Sequence, residues 1–302
     1  VEASARQLVH AFAADGSADF AELFARRLPV RVIMNLLGVS EDNDDFRAWY
    51  RAIVDYSGNF RGDPEVSRAG LEAGAELADF LDEQIRRRRA RPGDDLISLL
   101  CASEIDGTRL GDDVIKSFGL VLLAAAGETT EKALNLTVCH LLRSHAGAAV
   151  RADDSLLGRA LAETLRLTPP VQIITRETRQ AVALSGGTLP KGALVFLLIS
   201  AANRDPARFR SPDVFDVDRG DAEADRAFTG AALHLAFGSG RHFCLGASVA
   251  HMEITTALRI LFRTLPDLRL PPGFVPEDVG FVTRGPRRVP IEFTPVPHGA
   301  AR

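Results

Sequence analysis

Lysine is almost missing: of 36 basic residues only Lys116, Lys132 and Lys191 are not arginine, a bias that reports a GC-rich genome and carries no mechanism. Cysteine is equally scarce. Cys101, Cys139 and Cys244 lie far apart and, being three, cannot all pair, which excludes a disulfide framework and fits a reducing compartment. No long hydrophobic run is present, since the longest, Phe118 to Gly127, is about half the ~20 residues of a spanning helix. Neither charge sign is in large excess. A formal net charge of −4 advertises neither nucleic acid nor an anionic membrane surface as a partner. The chain begins at Val1 with no basic stretch, apolar stretch and small-residue cleavage site in series, so no secretory signal is expected and the expected location is cytoplasmic.

What remains is ordinary globular composition. In 302 residues, 46% are hydrophobic and 25% charged, enough for a sizeable core. From Val1 to about Arg89 apolar residues recur at three and four, as in Leu28, Val32, Ile33 and Leu36, which predicts packed amphipathic helices. Turns fall at Asp15-Gly16 and Gly38. Asp63-Pro64 interrupts the pattern, and Leu71 to Arg89 resumes it, closing on Arg86 to Arg89 as a solvated helix end. Leu110-Gly111-Asp112-Asp113 reads as the cap of a long helix over Asp112 to Ser144. A helix through Leu161 to Leu167 should stop at Pro169-Pro170, with strand-like pieces at Val171 to Thr178 and Ala181 to Leu184. Ala193 to Ser200 reads as a buried apolar run, Asp205 to Arg219 as an ordered irregular loop, and Leu245 to Phe262 as the last helix. Without internal repeats or a low-complexity linker, one mainly α unit with small β-sheets over residues 1–302 is expected.

The densest chemical signal is Phe237-Gly238-Ser239-Gly240-Arg241-His242-Phe243-Cys244-Leu245-Gly246, directly before that helix. Unpaired amides and the positive dipole at a helix start favour a thiolate there. Glycines 238, 240 and 246 let backbone approach a flat ligand. A dinucleotide fingerprint fails, because Phe243 stands where its third glycine should be. Zinc and iron–sulfur sites draw on several close ligands, whereas the loop offers His242 and Cys244 alone. A single axial thiolate to haem iron fits better. The bland alternative, an inert buried cysteine beside a glycine-rich turn, accounts for Cys244 but not for the ten-residue constellation.

That loop resembles the haem loop of the cytochrome P450 family, F-G-x-G-x-H-x-C-x-G, at every specified position. The resemblance covers nearly the whole chain and implies a mainly α fold of P450 type binding haem b. It implies Cys244 as proximal iron ligand, Phe237 packed near the sulfur, and His242 bonded to a haem propionate, with Gly238 and Gly246 in the cradle. Glu163-Thr164-Leu165-Arg166 is similar to the family's E-x-x-R, with Arg219 as third partner of a structural network. Ala125-Ala126-Gly127-Glu128-Thr129-Thr130 resembles its oxygen-activation segment, the family more often having glycine where Ala126 stands. Thr129 would then orient the oxygen or a water, Glu128 would relay protons, and Gly127 could open the helix to water. Arg176 matches an arginine that pairs with a propionate. Leu122, Ala125, Val171, Gln172, Ile173, Ile174, Phe281, Val282 and Thr283 would line the substrate pocket. Asn203-Arg204-Asp205-Pro206 matches the family as a structural turn. His10, His140, His145, His234, His251 and His298 show no ligand-like pairing and are read, like Trp49, as structural or exposed.

The implied activity is monooxygenation: one atom of O₂ inserted into a C–H bond or alkene of a mid-sized hydrophobic molecule. Electrons would come from NAD(P)H through a separate ferredoxin and ferredoxin reductase docking near Cys244, where Arg241 contributes charge. The family's early sheet, first helices and flexible substrate loop would precede Val1, so the expected fold is one truncated at its N-terminus. A haem-thiolate peroxygenase or isomerase, or a non-catalytic binding module, are the rival expectations.

Overall fold

In the structure, a computed structural model that describes residues 1–41, 43–59, 61–219 and 226–297, the three-and-four apolar spacing resolves into helices separated by the expected turns. In chain order they are α1 (Glu2–His10), α2 (Leu28–Leu36), α3 (Asp44–Ser57), α4 (Pro64–Ala90), α5 (Leu96–Ala102), α6 (Asp112–Arg143), α7 (Ala146–Ala152), α8 (Leu157–Leu167), α9 (Ile199–Ala202) and α10 (Ala247–Thr264). The strands are β1 (Ser17–Asp19), β2 (Glu104–Ile105), β3 (Thr108–Arg109), β4 (Ile173–Glu177), β5 (Val182–Leu184), β6 (Gly187–Leu189), β7 (Leu194–Leu198), β8 (Asp278–Val279), β9 (Gly285–Pro286) and β10 (Pro290–Glu292). They pair antiparallel as β1-β10, β2-β3, β4-β7, β5-β6 and β8-β9.

Local chemistry sets the helix boundaries. Asp63 does not merely break a pattern: its carboxylate accepts the Glu65 amide at 2.9 Å, with Pro64 in the first turn, so α4 starts there rather than near Leu71. Asn43 and Asp95 cap α3 and α5 in the same way, on the amides of Phe46 and Ser98. The predicted acidic cap of α6 differs, because Gly111 is the N-cap and no side chain caps it; Asp112 and Asp113 are first-turn residues that complement the dipole. α8 ends at Leu167, before Pro169-Pro170, as expected. The Asp205 to Arg219 stretch contains no regular element.

Two apolar cores share α6. One packs Leu134, Val138 and Leu141 against α1, α8 and α10, through Val9, Leu161, Leu165, Leu258 and Leu261. The other packs Leu123 and Ile115 against Leu77, Leu81 and Ile85 of α4 and Phe46 and Tyr50 of α3. Each such buried side chain contributes about 1.5–3 kcal/mol. The arginine run ending α4 divides. Arg86 and Arg87 are exposed and pair with Glu83, but Arg88 bonds Asp95 at 3.0 Å and the Gly38 carbonyl at 2.8 Å. Arg89 likewise donates to the Cys101 carbonyl and to Asp112. Two of the four arginines therefore tie loops to the helix end.

The expected burial of Ala193 to Ser200 is corrected: β7 is apolar yet exposed, with Leu194 65%, Phe196 56% and Leu198 53% accessible. Among the described residues it pairs only with β4, and a two-stranded ribbon has no second layer to cover it.

Candidate haem-thiolate site

The cysteine loop is built by backbone. Leu235 O accepts the Gly238 amide at 2.9 Å, and Phe237 O accepts the Cys244 amide at 2.8 Å. Gly238 (φ +73°) and Gly240 (φ +65°) both take the left-handed conformation, and a Cβ on Gly238 would stand 3.1 Å from the His242 carbonyl oxygen. A short 3₁₀ turn, Gly240–His242, then leads to Cys244 and α10. Phe237 lies 6.2 Å from Phe243 and 6.0 Å from Phe228, an aromatic floor under the loop.

Cys244 is exposed, whereas Cys101 and Cys139 are buried. Burial pushes the Cys139 thiol up to about 12 and raises that of Cys101, so neither readily supplies a thiolate. Gly246 leaves the space beside the sulfur open, where an added Cβ would stand in ordinary contact at 3.8 Å from Cys244 Sγ. An accessible thiol at the start of an 18-residue helix, unaccompanied among the described residues by any group of three metal-ligating side chains, has the donor chemistry of an axial haem ligand. Exposed Leu245, at 79%, sets an apolar side chain next to it.

Behind the loop sits the predicted charge network. Glu163 (2% exposed) receives both Nε and Nη2 of Arg166 (1%) at 2.8 Å, and Nε of Arg219 at 3.1 Å. The remaining Arg166 donors go to the carbonyls of Asn203, Pro212 and Val214, so all five guanidinium N–H groups are used. Arg219 binds the carbonyls of Arg210, Ser211 and Val214, and the Asp216 amide closes on Glu163. The irregular loop is thus threaded onto two buried cations.

On α6, Val121, Ala125, Glu128 and Lys132 fall on one face by their spacing of four, three and four. Val121 (63% exposed) and Ala125 are open to solvent. Leu122, expected in the pocket, instead packs against the second core, and Val121 takes the exposed place one residue earlier. Thr129 donates its hydroxyl to the Ala125 carbonyl at 3.0 Å. Glu128 is held by Lys132 and by the Thr283 hydroxyl at 2.7 Å, while Lys132 Nζ also reaches Thr283 at 3.0 Å. Thr283, expected in the pocket lining, thus also bonds the carboxylate and its lysine. The i, i+4 spacing of Glu128 and Lys132 was a visible signal for that pair; Thr283, 155 residues away, had none.

Gly127 has a different job from the expected helix opening. A Cβ there would lie 1.8 Å from Tyr50 Oη, and α6 runs unbroken through the position, so this glycine admits the α3 tyrosine. Beside it a groove of about 1520 Å³ is lined by Tyr50, Arg26, Arg51, Glu128, Glu131 and Lys132, which puts Glu128 at a solvent-accessible floor. Desolvation raises Glu131 above the ordinary carboxylate range, with Arg26 at 3.4 Å opposing.

The remaining predicted pocket residues are brought together in part. Gln172 N donates to Val282 O at 2.8 Å, Val171 bridges Thr283, and Ile173 and Ile174 open β4 opposite Leu198 and Leu197. Phe281 is 65% exposed at the turn made by Gly280 (φ +104°). Arg176 is exposed on β4; its guanidinium donates to the Thr175 carbonyl, and no acid partner is seen among the described residues. His242 is exposed. His140 stacks on Phe215 at 4.7 Å and bonds Thr168, His234 is buried, and His251 stacks on Phe228, all structural roles; His298 lies outside the described residues.

The family model "Cytochrome P450" matches residues 150–272. The chain is 38% identical to pulcherriminic acid synthase of Bacillus subtilis (strain 168), over 97% of this chain and 73% of that protein. It is 35% identical to 6-deoxyerythronolide B hydroxylase of Saccharopolyspora erythraea, over 97% and 70%. Among solved structures, CYP109E1 of Bacillus megaterium in complex with testosterone superposes at a TM-score of 0.87 with 30% identity, covering 97% of this chain and 77% of that one. The chain belongs to the cytochrome P450 family, in the company of these bacterial relatives. It is thereby a monooxygenase, and the family's cofactor is haem b bound through a cysteine thiolate.

Proposed function

We propose that residues 1–302 act as one P450-type domain in which Cys244 is the axial haem ligand, hydroxylating or epoxidising a mid-sized hydrophobic metabolite. Haem b, when bound, supplies the iron that activates O₂. The observation that carries the assignment is the exposed Cys244 thiol at the start of α10, its own amide fixed on Phe237 O, while the other two cysteines are buried. Arg176, without an acid partner among the described residues, and His242, exposed beside the thiol, are the groups offered to the propionates. Glu128 draws protons from the groove, its carboxylate oriented by Lys132 and Thr283. Thr129 spends its hydroxyl proton on Ala125 O, which leaves its lone pairs to accept a hydrogen bond from a water beside the oxygen substrate.

The exposed apolar side chains of Val121, Phe281 and the β4–β7 ribbon favour a hydrophobic substrate, in keeping with the testosterone bound by one similar structure and the 6-deoxyerythronolide B named for one relative. Electrons would arrive from NAD(P)H through a ferredoxin and its reductase, docked near Arg241, in the cytoplasm. No helix among the described residues is long and apolar enough to cross a membrane. The test is the absorption spectrum of the haem-loaded, dithionite-reduced chain under CO. A red-shifted thiolate-type Soret band that disappears in Cys244→Ser is the expected result. The same band surviving in Cys244→Ser would overturn the assignment.

A further inference from the structure

Between the buried charge network and the cysteine loop stands one fully buried amide side chain, Asn203, at 0% exposure. Each of its polar groups is engaged. Its backbone N–H donates to Ile199 O at 2.9 Å, and its carbonyl accepts Arg166 Nη1 at 3.0 Å. Its Nδ2 reaches Leu165 O at 3.4 Å, and its Oδ1 accepts the Leu235 amide at 2.7 Å. The last bond is the shortest of the four and joins the end of α9, itself tied to α8 through Leu165 and Arg166, to the loop that ends in the thiol. From there the connection continues through backbone alone, Gly238 N to Leu235 O at 2.9 Å and Cys244 N to Phe237 O at 2.8 Å.

We infer that Asn203 is a positioning residue for Cys244, transmitting the rigidity of the Glu163–Arg166–Arg219 network to the thiol through the Leu235 amide. This rests on Cys244 being the haem ligand. Physically, Arg166 has no freedom left once its five donors are placed, so the Asn203 backbone is immobile, and a short side chain on an immobile backbone makes a fixed acceptor. A loop turning through two left-handed glycines needs such an anchor, because its own residues constrain it least. Loss of the acceptor leaves the Leu235 N–H unpaired and frees the turn that holds Phe237 O on the Cys244 amide.

The test compares the haem-loaded parent chain with Asn203→Leu, which keeps the volume but offers no acceptor, and Asn203→Asp, which keeps the acceptor and gives up the bond to Leu165. Two readouts are taken: the share of thiolate-type Soret band in the reduced CO complex, and amide hydrogen exchange. In Asn203→Leu the ratio of thiolate-type to neutral-ligand band should fall roughly tenfold, with exchange accelerated at residues 235, 238 and 244 and unchanged in α6. In Asn203→Asp the band should be retained. An unchanged band in Asn203→Leu, or exchange accelerated evenly through both cores, would make Asn203 an ordinary core residue and overturn the inference. Should the leucine variant fail to fold, loss of the band in folded Asn203→Asp does the same. A parent chain without the band would refute Cys244 ligation instead, and the exchange pattern alone would then judge Asn203.

Discussion

Two acid–base pairs, one helical turn apart in each case, do opposite things in this molecule. Glu163 and Arg166 in α8 are 2% and 1% exposed and are surrounded by fixed carbonyls and a second guanidinium. Glu128 and Lys132 in α6 are 24% and 13% exposed at the side chain, share one threonine hydroxyl, and face a solvent groove. The first pair has every partner supplied by the protein, so it can only hold structure. The second leaves its carboxylate reachable from water, which a group that moves protons requires. Spacing along the helix does not separate the two; the number of immobile partners does.

The same substitution at both pairs is the strongest way to break that contrast. Glu163→Gln removes the one anion between two buried cations and should cost about 3–5 kcal/mol, seen as a large loss of thermal stability or of soluble protein. Glu128→Gln, on the open pair, should cost under about 1 kcal/mol while slowing turnover. Equal losses at the two sites would mean that burial is not what distinguishes them.

Acid should act on the buried side first. Desolvation lowers His140 and His234 to about 4, below the ordinary 6.5, so both are neutral in the fold. A base with a depressed native pKa contributes stability that is present above 6.5 and lost as pH falls toward 4, because the unfolded chain takes up the proton first. Each should contribute up to about 3 kcal/mol, and His140→Gln should flatten part of that acid limb in denaturant midpoints measured from pH 7 to 4. An unchanged limb would place the acid sensitivity elsewhere.

Gly127→Ala brings a methyl carbon to within 1.8 Å of Tyr50 Oη and should cost about 1–3 kcal/mol, with Tyr50→Ala, Gly127→Ala together regaining part of it in thermal melts. Were Gly127 instead a water gate, the single alanine would slow turnover without lowering the melting temperature. The smallest effect is expected of Thr283→Val, which deletes the 2.7 Å bond to Glu128 and nothing in either core. It should leave the melting temperature within about 1 kcal/mol equivalent and reduce product formed per NAD(P)H consumed by roughly two- to fivefold. Full coupling in that variant would remove Thr283 from the proton route.

Much of the frame was legible because its signals are local. The span of α6 agrees with expectation to within a residue at its end, and α8 stops where Pro169-Pro170 require. Glu163, Arg166 and Arg219 meet as the resemblance implied, and the thiol at the start of α10 follows from the run Phe237 to Gly246. Other readings failed where the outcome depends on a distant partner. Leu194 to Leu198 is apolar, but burial needs a covering layer, and β4 alone supplies none. Gly127 could be read as a weak point in a helix, since the tyrosine that fills its place comes from 77 positions earlier in the chain. Arg88 and Arg89 looked like a solvated end, and the carbonyls they hold lie 50 and 12 residues away.

By itself, the sequence determined the span of α6, the stop of α8, the glycine-bearing cysteine loop and the i, i+3 pair of Glu163 and Arg166, because each depends on spacing or conformation within a few residues. Only the tertiary structure decided which acid is sealed and which is open, that Thr283 belongs to Glu128, and that Asn203 joins α8 to the Cys244 loop. Burial and hydrogen-bond satisfaction are properties of the space between elements, and no window of sequence contains that space.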